Sequence, residues 1–218
     1  MKRLEDLLID NLKIYQDDDL YHFTSDSIIL SKFAKAKKDD VVADICSGSG
    51  IVGLHFYALN KGVIKKTTLF EMQESLASLS AESVAYNKLS DVFEVQNMKI
   101  QDIPSTFNNK YSVVLCNPPY YKDVRQDFGY DKIKACKNEI TVNLEEIIHC
   151  SARLLKHGGR LNICHVPDRL ASLITTLKRY KLEPKRLTFV QGAGKTYLVL
   201  LEAVKGGKEG LKIDFMNN

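Results

Sequence analysis

The sequence lacks any long apolar run. Of its 218 residues 44% are apolar, yet no stretch reaches the ~18 uninterrupted apolar residues that a membrane helix needs. The stretch Met1–Asp19 carries acidic side chains throughout and has neither an apolar segment nor a small-residue cleavage site, so we expect no secretory signal. A protein that spans a membrane is therefore excluded, and a cytoplasmic location is expected.

The cysteines and histidines show no spacing typical of disulfide or metal sites. The five cysteines are odd in number and form no Cys-x-x-Cys pair, and the five histidines include no His-Glu-x-x-His or similar pair. These spacings fit neither a disulfide framework nor a zinc knuckle, and no metal site is expected. Cys46, Cys116 and Cys164 lie in apolar runs, where a free thiol packs as a small core residue.

Length and composition favour one globular domain. With 27% charged residues the chain is far from the composition of disordered proteins, because its apolar content is also high. A chain of 218 residues can bury one sizeable core. We expect a single domain over residues 1–218, with an N-terminal segment over 1–40 ahead of a core over 41–218.

Charge is unevenly distributed along the chain, although the net charge is only +4. Residues 151–218 hold 13 Lys and Arg against 5 Asp and Glu, whereas residues 1–150 hold 18 against 22. A basic half on a nearly neutral chain indicates either a polyanionic partner such as nucleic acid or an ordinary solvated face. The sequence leaves the oligomeric state open.

From residue 41 onwards, apolar runs of strand length alternate with longer stretches of helical period. The predicted strands are Val41–Cys46, Thr67–Glu71, Val92–Gln96, Ser112–Cys116, Arg160–His165, Leu187–Val190 and Tyr197–Ala203. The predicted helices are Ile51–Leu59, Met72–Asn87, Leu144–Leu155, with a C-cap signal at His157-Gly158-Gly159, and Arg169–Tyr180. This alternation predicts a Rossmann-like α/β fold, with a mostly parallel sheet covered by helices on both faces and a C-terminal antiparallel hairpin through Gly192 and Gly194. Ligands bind at the carboxyl ends of the strands in such sheets.

A glycine-rich turn follows the first of these strands. Gly48, Gly50 and Gly53 match Gly-x-Gly-x-x-Gly, and Glu71 lies 23 residues beyond Gly48 at the end of the next strand. Glycines there permit a tight turn and close ligand approach, and the acid can hold a ribose diol. The pattern fits a nicotinamide dinucleotide or S-adenosylmethionine. Asp44 before the turn favours the second, which is cationic and carries no phosphate.

A second motif, Asn117-Pro118-Pro119-Tyr120, follows the very apolar fourth strand. The lone pair of an aromatic amine or an amide is delocalised, so such a nitrogen is a weak nucleophile. The Asn117 oxygen and a backbone carbonyl held by the prolines can accept both N–H hydrogens, which favours the pyramidal nitrogen that attacks a methyl group. Tyr120 offers a face on which a planar base can stack.

Together these motifs resemble the class I S-adenosylmethionine-dependent methyltransferases that modify exocyclic amines. Both ends of the chain resemble one bacterial branch, the tRNA1(Val) adenine-37 N6-methyltransferases. The similar segments are Asn11–Ile14 and Phe23–Leu30 near the start, and Glu183–Leu187 and Val204–Leu211 near the end. The resemblance implies a seven-stranded methyltransferase fold, S-adenosylmethionine as cofactor and tRNA as substrate. It implies that methyl transfer occurs at the 6-amino group of the adenine next to the anticodon.

The resemblance also implies roles for individual residues. The implied cofactor loop contains Asp44, Ser47, Gly48 and Gly50, and Glu71 is the implied ribose acid. The implied catalytic loop consists of Asn117, Pro118, Pro119 and Tyr120.

Two departures from the family pattern concern ligand contacts. Where relatives have an acid for the adenine amine of the cofactor, this chain reads Asn97-Met98-Lys99, so Asn97 or Asp102 serves instead or the contact is missing. The loop 121–140 keeps only the acid of a relative's Arg-His-Glu, with Lys137 at the first position. Lys137, Lys185 and Arg186 are the basic side chains that we expect to contact tRNA phosphates.

Other functions remain open from the sequence. A protein-glutamine or rRNA guanine methyltransferase uses the same Asn-Pro-Pro-aromatic clamp. A nicotinamide dehydrogenase shares the glycine turn but gives the second motif no role. A catalytically silent RNA-binding relative fits the missing acid at Met98-Lys99.

Overall fold

A computed structural model describes residues 1–20, 22–118 and 142–217 of the chain. Ten strands are described: β1 Lys2–Asp6, β2 Lys13–Asp17, β3 Asp40–Ile45, β4 Ile64–Glu71, β5 Phe93–Asn97, β6 Tyr111–Cys116, β7 Leu155–His165, β8 Leu182–Gly192, β9 Lys195–Lys205 and β10 Lys212–Asn217. The described α-helices are α1 Ser25–Phe33, α2 Ile51–Leu59, α3 Glu74–Tyr86, α4 Leu144–Leu154 and α5 Leu170–Arg179.

Eight strands form one sheet in the order β10-β8-β9-β7-β6-β3-β4-β5. Neighbours from β7 to β5 are parallel, whereas β9 pairs antiparallel with both β7 and β8. The predicted mostly parallel α/β sheet and the C-terminal antiparallel hairpin are therefore confirmed. The sheet has eight strands rather than seven, because β10 adds to the edge in parallel with β8.

Helices cover both faces of this sheet. Alternate residues of a strand point to opposite faces, so each central strand contributes to two core clusters. Val113 and Leu115 of β6 join a core cluster with α1 and α2, whereas Val114 and Cys116 join the cluster with α4 and α5. Helix α2 is buried from Ile51 to Ala58, in keeping with its almost wholly apolar sequence. The central strands are thus sequestered, and only their ends are available to ligands.

The segment before β3 adds a structure that the apolar pattern does not predict. Strands β1 and β2 form an antiparallel hairpin, which Asn87 fastens to the end of α3 through its bonds to the backbone of Lys13 (2.9 and 2.6 Å). Helix α1 follows and packs against α2. Within the described ranges, no helix is long and apolar enough to cross a membrane.

Helix α4 ends earlier than the sequence predicts. Asn143 and Glu146 form a capping box at its start, but β7 begins directly at Leu155, before His157-Gly158-Gly159. The expected glycine C-cap is therefore wrong. Instead, the register of β7 shifts between the pairs Tyr111–Leu155 and Val113–Arg160, and Gly158 takes a positive φ of 74° in this irregular stretch.

Candidate functional site

The strand register brings five sequence positions into one row at the carboxyl edge of the sheet. Ile45 pairs with Phe70 and with Cys116, Cys116 pairs with Ile163, and Glu71 pairs with Asn97. The carboxyl-edge row, as we call it, therefore runs Asn97, Glu71, Cys46, Asn117, Cys164. It crosses the switch point between β3 and β6, where open α/β sheets bind ligands. Glu71 and Asn117 lie two strands apart, about 10 Å.

The glycine turn stands at the centre of this row. Its backbone is held by hydrogen bonds from Ser47 N to Phe70 O (3.1 Å) and from Gly50 N to Ser47 O (2.8 Å). Gly50 has a φ of 85°, and a Cβ there would lie 2.9 Å from the side chain of Leu69, so only glycine fits. A Cβ on Gly48 would meet no atom of the described residues within 4 Å. The turn thus packs tightly on one side and is open on the other.

Glu71 lies beside the open side of the turn. Its Oε2 accepts a hydrogen bond from Gly48 N (2.9 Å) and its Oε1 accepts one from Gln73 N (2.8 Å). The side chain is buried, and burial raises the pKa of the Glu71 carboxyl despite these bonds. Each oxygen keeps a second lone pair, so the carboxylate can also accept from the two hydroxyls of a ribose.

Asp44 lies beneath the turn rather than on its rim. The residue is completely buried, and its Oδ2 accepts from Gly53 N at the start of α2 (2.9 Å). Asp44 is therefore absent from the exposed rim of the turn, because its side chain points into the packing between β3 and α2. Burial raises the pKa of Asp44 to about 8.

The buried acceptors fit a cationic ligand. Within the described residues, Asp44 Oδ1 and Ser47 Oγ are buried without a hydrogen-bond partner. Such unsatisfied groups are rare in proteins and indicate a place for an external donor. Ser47 Oγ, the open side of Gly48 and the Glu71 carboxylate fit the ammonium and ribose groups of S-adenosylmethionine. In the described part of the chain, no group of three His, Cys, Asp or Glu side chains could hold a metal ion.

The raised pKa of Asp44 has a consequence for stability. Since its folded-state pKa of about 8 exceeds the unfolded-state value, the unfolded state loses the proton first, and the free energy of unfolding falls as pH rises between the two values. We expect the wild-type melting temperature to fall relative to Asp44→Asn between about pH 4 and pH 8. The amide keeps an acceptor for Gly53 N. Identical pH profiles for the two proteins would contradict a protonated Asp44.

The two candidates for the missing adenine acid differ in position. Asn97 stands in the carboxyl-edge row, where its Nδ2 donates to the carbonyls of Glu71 (2.9 Å) and Met72 (3.1 Å). Asp102 is an exposed residue of the short 3-10 helix Ile100–Asp102. The structure therefore joins Asn97 to the site through Glu71, and its Oδ1 is the acceptor that an adenine amine would need.

The carboxamide of Asn117 is held from two sides. Its Nδ2 donates to Ser27 Oγ of α1 (2.9 Å), and its Oδ1 accepts from the Cys164 thiol at the end of β7 (3.1 Å). Pro118 is buried next to it. Pro119, Tyr120 and Lys137 lie outside the described residues. Sequence reasoning missed Ser27 and took Cys164 for core packing alone; the segment Phe23–Leu30 contains Ser27 but does not show where α1 packs.

The remaining two predicted phosphate contacts lie away from the row. Arg186 pairs with Glu202 (3.1 Å) and donates to the carbonyl of Phe33 (2.9 Å), so its guanidinium is engaged within the chain. Lys185 donates to the carbonyls of Lys208 and Glu209 (3.0 and 3.3 Å). Both stand level with Leu161 and Asn162 of β7, below the carboxyl edge. The assignment of Arg186 to substrate is therefore not retained.

The amino-acid sequence was compared with protein-family models and with known proteins. The family model of the methyltransferase small domain matches residues 23–179. A relative from Parabacteroides distasonis, a tRNA1(Val) (adenine(37)-N6)-methyltransferase, is 22% identical over 163 residues, 74% of this chain and 67% of that protein. A relative of the same name from Dickeya chrysanthemi is 23% identical over 62% of this chain, which spans only about half (53%) of that protein.

Among solved structures, Pyrococcus horikoshii TYW2 in complex with MeSAdo superposes with a TM-score of 0.67. The match covers 94% of this chain and 72% of that one, with 18% sequence identity. At this identity the likeness establishes the fold alone, the Rossmann-like fold of class I S-adenosylmethionine-dependent methyltransferases.

Proposed function

The chain belongs to the methyltransferase small domain family, and from this premise we propose that it methylates the 6-amino group of an adenine in tRNA. It is an S-adenosylmethionine-dependent methyltransferase. The observation that carries the finer proposal is the position of Asn117 in the carboxyl-edge row, with its carboxamide oriented by two hydrogen bonds.

Residues of the glycine turn and its neighbours would hold the cofactor. Glu71 would accept from the ribose hydroxyls, Asn97 would accept from the adenine amine, and Ser47 Oγ would face the ammonium group. Asp44 would support the turn from beneath through Gly53 N. When bound, S-adenosylmethionine supplies a methyl group made electrophilic by a sulfonium. Since its leaving group is a neutral thioether, the chain needs no strong general base before attack.

The Asn117 loop would hold the acceptor amine. Asn117 Oδ1 accepts one N–H of the amine and the carbonyl of Pro118 accepts the other, which turns the nitrogen lone pair towards the methyl group. Tyr120 would stack on the adenine ring, worth about 1–3 kcal/mol. Alignment of two reactants in this way can lower a barrier by about 7–11 kcal/mol, so orientation is the chain's main contribution to the rate.

The relatives' names support tRNA as the substrate and position 37 of valine tRNA as the target. An adenine in the anticodon loop is unpaired, so presenting it to the site costs little. Lys137 and Lys185 are the predicted residues that we keep as phosphate contacts. Lys185 is the weaker of the two, because its ammonium group already donates to the carbonyls of Lys208 and Glu209. Action on tRNA would take place in the cytoplasm.

A further phosphate contact is suggested by the β8–β9 hairpin. Val199 pairs with His165 at the end of β7, and Lys195 at the exposed tip is four residues further on, about 13 Å beyond the carboxyl edge. Because this tip rises on the same edge as Asn117, it is well placed for RNA that enters the site. Lys185 lies on the same hairpin below the edge, and this difference permits a matched test.

We expect charge reversal at the tip to weaken tRNA binding more than reversal lower on the hairpin. Lys195→Glu should flatten the slope of log affinity against log salt concentration by about one, because one phosphate contact releases about one counterion. Lys185→Glu is the matched control, with a smaller expected change. Filter-binding titrations at several salt concentrations measure both slopes. A larger change of slope for Lys185→Glu would show that tRNA contacts the lower part of β8 rather than the hairpin tip.

The proposed function is tested by offering the protein several acceptors. Purified protein and labelled S-adenosylmethionine are incubated separately with unmodified total tRNA, ribosomal RNA and a peptide release factor. We expect label in tRNA alone, and in valine tRNA when single species are compared. Label in ribosomal RNA or in the release factor instead would assign the same amine clamp to a guanine or a glutamine amide.

A further inference from the structure

Helix α1 lies ahead of the Rossmann core in sequence, yet it reaches the carboxyl-edge row. Ser27, in its first turn, is buried and accepts a hydrogen bond from Asn117 Nδ2 at 2.9 Å. The two residues are 90 positions apart in the chain. We propose that Ser27 is a positioning residue that orients the Asn117 carboxamide for the amine clamp, an inference that rests on the proposed function.

The orientation matters because the two ends of a carboxamide have opposite hydrogen-bonding character. The oxygen accepts, whereas the NH2 group donates. An acceptor amine presents N–H hydrogens, so a carboxamide turned by 180° would oppose donor to donor. With Nδ2 held by Ser27, the oxygen faces away from α1.

The Cys164 thiol selects the same orientation from the other side. Its sulfur lies 3.1 Å from Asn117 Oδ1 and donates to it. A carbonyl oxygen has two lone pairs and can accept more than one hydrogen bond, so the Cys164 contact is compatible with a bond to the substrate amine. A turned carboxamide would place its NH2 against the Cys164 thiol and exchange a bond to the amide oxygen for one to sulfur, a weak acceptor. The Cys164 contact therefore favours the observed orientation, and Ser27 supports it from the other side.

Helix α1 is itself fixed to the sheet, which makes Ser27 a firm support. The Arg186 guanidinium donates to the carbonyl of Phe33 at the end of α1 and lies 4.2 Å from the centre of the Phe33 ring. Beyond the helix, Arg160 of β7 donates to the carbonyl of Lys35 (2.9 Å). These two arginines tie α1 to β7 and β8 independently of Ser31, and give Arg186 a structural role.

The chain offers a matched control for this proposal. Ser31 is also a buried serine of α1, one turn after Ser27, but its hydroxyl bonds to His55 and the Ile28 carbonyl rather than to Asn117. Ser27→Ala and Ser31→Ala therefore remove the same atom from the same helix. Only the first changes the clamp.

The first readout needs no substrate. Side-chain amide signals of Asn117 are followed in ¹H–¹⁵N spectra and assigned by their loss in Asn117→Ala. We expect both amide protons to shift in Ser27→Ala and to stay in place in Ser31→Ala and in Ser27→Thr, which keeps the hydroxyl. Unchanged Asn117 signals in Ser27→Ala would overturn the proposal whether or not tRNA is the substrate.

The second readout separates positioning from binding. With the acceptor that the wild type methylates, kcat of Ser27→Ala should fall about tenfold, and up to about a hundredfold if the carboxamide shifts by an ångström. KM for S-adenosylmethionine should stay within about twofold and Ser27→Thr should restore kcat, since the cofactor residues and the hydroxyl are kept.

Two results would overturn the proposal in this assay, namely wild-type kcat in Ser27→Ala or an equal loss in Ser31→Ala. Should Ser27→Ala fail to fold, Ser27→Cys gives the same comparison, because a thiol of similar size is a weak acceptor. Absence of methyl transfer by the wild type to any RNA would refute the proposed function, while the spectra still decide the role of Ser27.

Discussion

Asn117→Ala is expected to lower kcat at least about a hundredfold, the scale on which removal of one preorganised polar group from a reaction centre acts. The dissociation constant of S-adenosylmethionine should stay within a few-fold of the wild-type value, because the cofactor residues lie on β3, β4, β5 and the turn between β3 and α2. Stopped reactions with saturating cofactor give kcat, and calorimetry gives the dissociation constant.

Asn87→Ala is the matched control for this substitution. Asn87 is also a half-buried asparagine with a fully engaged carboxamide, but it fastens the β1–β2 hairpin through Lys13 and lies away from the row. We expect it to lower the melting temperature and leave kcat near the wild-type value. Normal turnover by Asn117→Ala would refute the amine clamp. Equal losses of kcat in both variants would show that the effect is structural.

Glu71→Ala is the second change with a large expected effect, this time on the cofactor. A hydrogen bond to a charged group contributes about 1.5–3 kcal/mol, so loss of the ribose contacts should raise the dissociation constant of S-adenosylmethionine by about tenfold or more. Glu71 also holds the amide of Gly48, and loosening of the turn adds to the loss. Since burial raises the pKa of Glu71, wild-type affinity should weaken as the pH falls through that pKa and the carboxylate becomes protonated.

Glu94→Ala provides the comparison, because Glu94 is an exposed carboxylate on the neighbouring strand β5. It should leave cofactor affinity unchanged. Glu71→Gln separates the contribution of the hydrogen-bond acceptor from that of the negative charge, since it keeps one acceptor but loses the charge. We expect an intermediate dissociation constant for S-adenosylmethionine. If calorimetry gave the same value for Glu71→Ala and the wild type, Glu71 would have no ribose role.

The central strands, the glycine turn and the position of Asn117 after β6 could be predicted because their signals are local. A buried parallel strand such as β6 reads as a continuous apolar run, and a tight turn such as that at Gly50 requires glycine. The positions of Glu71 and Asn117 at strand ends follow from the same runs. Parallel register then brings them into one row without further information from the sequence.

Strands β1 and β10 were missed for a physical reason. Strand β10 is exposed along its whole length and β1 is almost wholly exposed. β1 lacks the alternation of apolar and polar residues that marks a half-buried strand, and β10 alternates only over residues 212–215, which is too short a run to predict a strand. Their pairing depends on backbone hydrogen bonds to β8 and β2, which leave little trace in side-chain type.

Side-chain partners distant in sequence were also beyond prediction. Arg186 belongs to a basic stretch that resembles a phosphate-binding surface, and only packing shows that Glu202 and Phe33 engage it. Asp44 precedes a glycine turn as expected, but its burial depends on how α2 sits on β3. The Ser27–Asn117 contact depends on where α1 folds back over the sheet.

The most direct test of the account is the chemical position of the transferred methyl group. Unmodified tRNA is methylated by the purified protein, digested to nucleosides and analysed by liquid chromatography and mass spectrometry against authentic standards. If Asn117 holds the 6-amino group, the expected product is N6-methyladenosine and no other methylated nucleoside. A methyl group on a ring atom, as in 1-methyladenosine or 2-methyladenosine, would contradict the clamp.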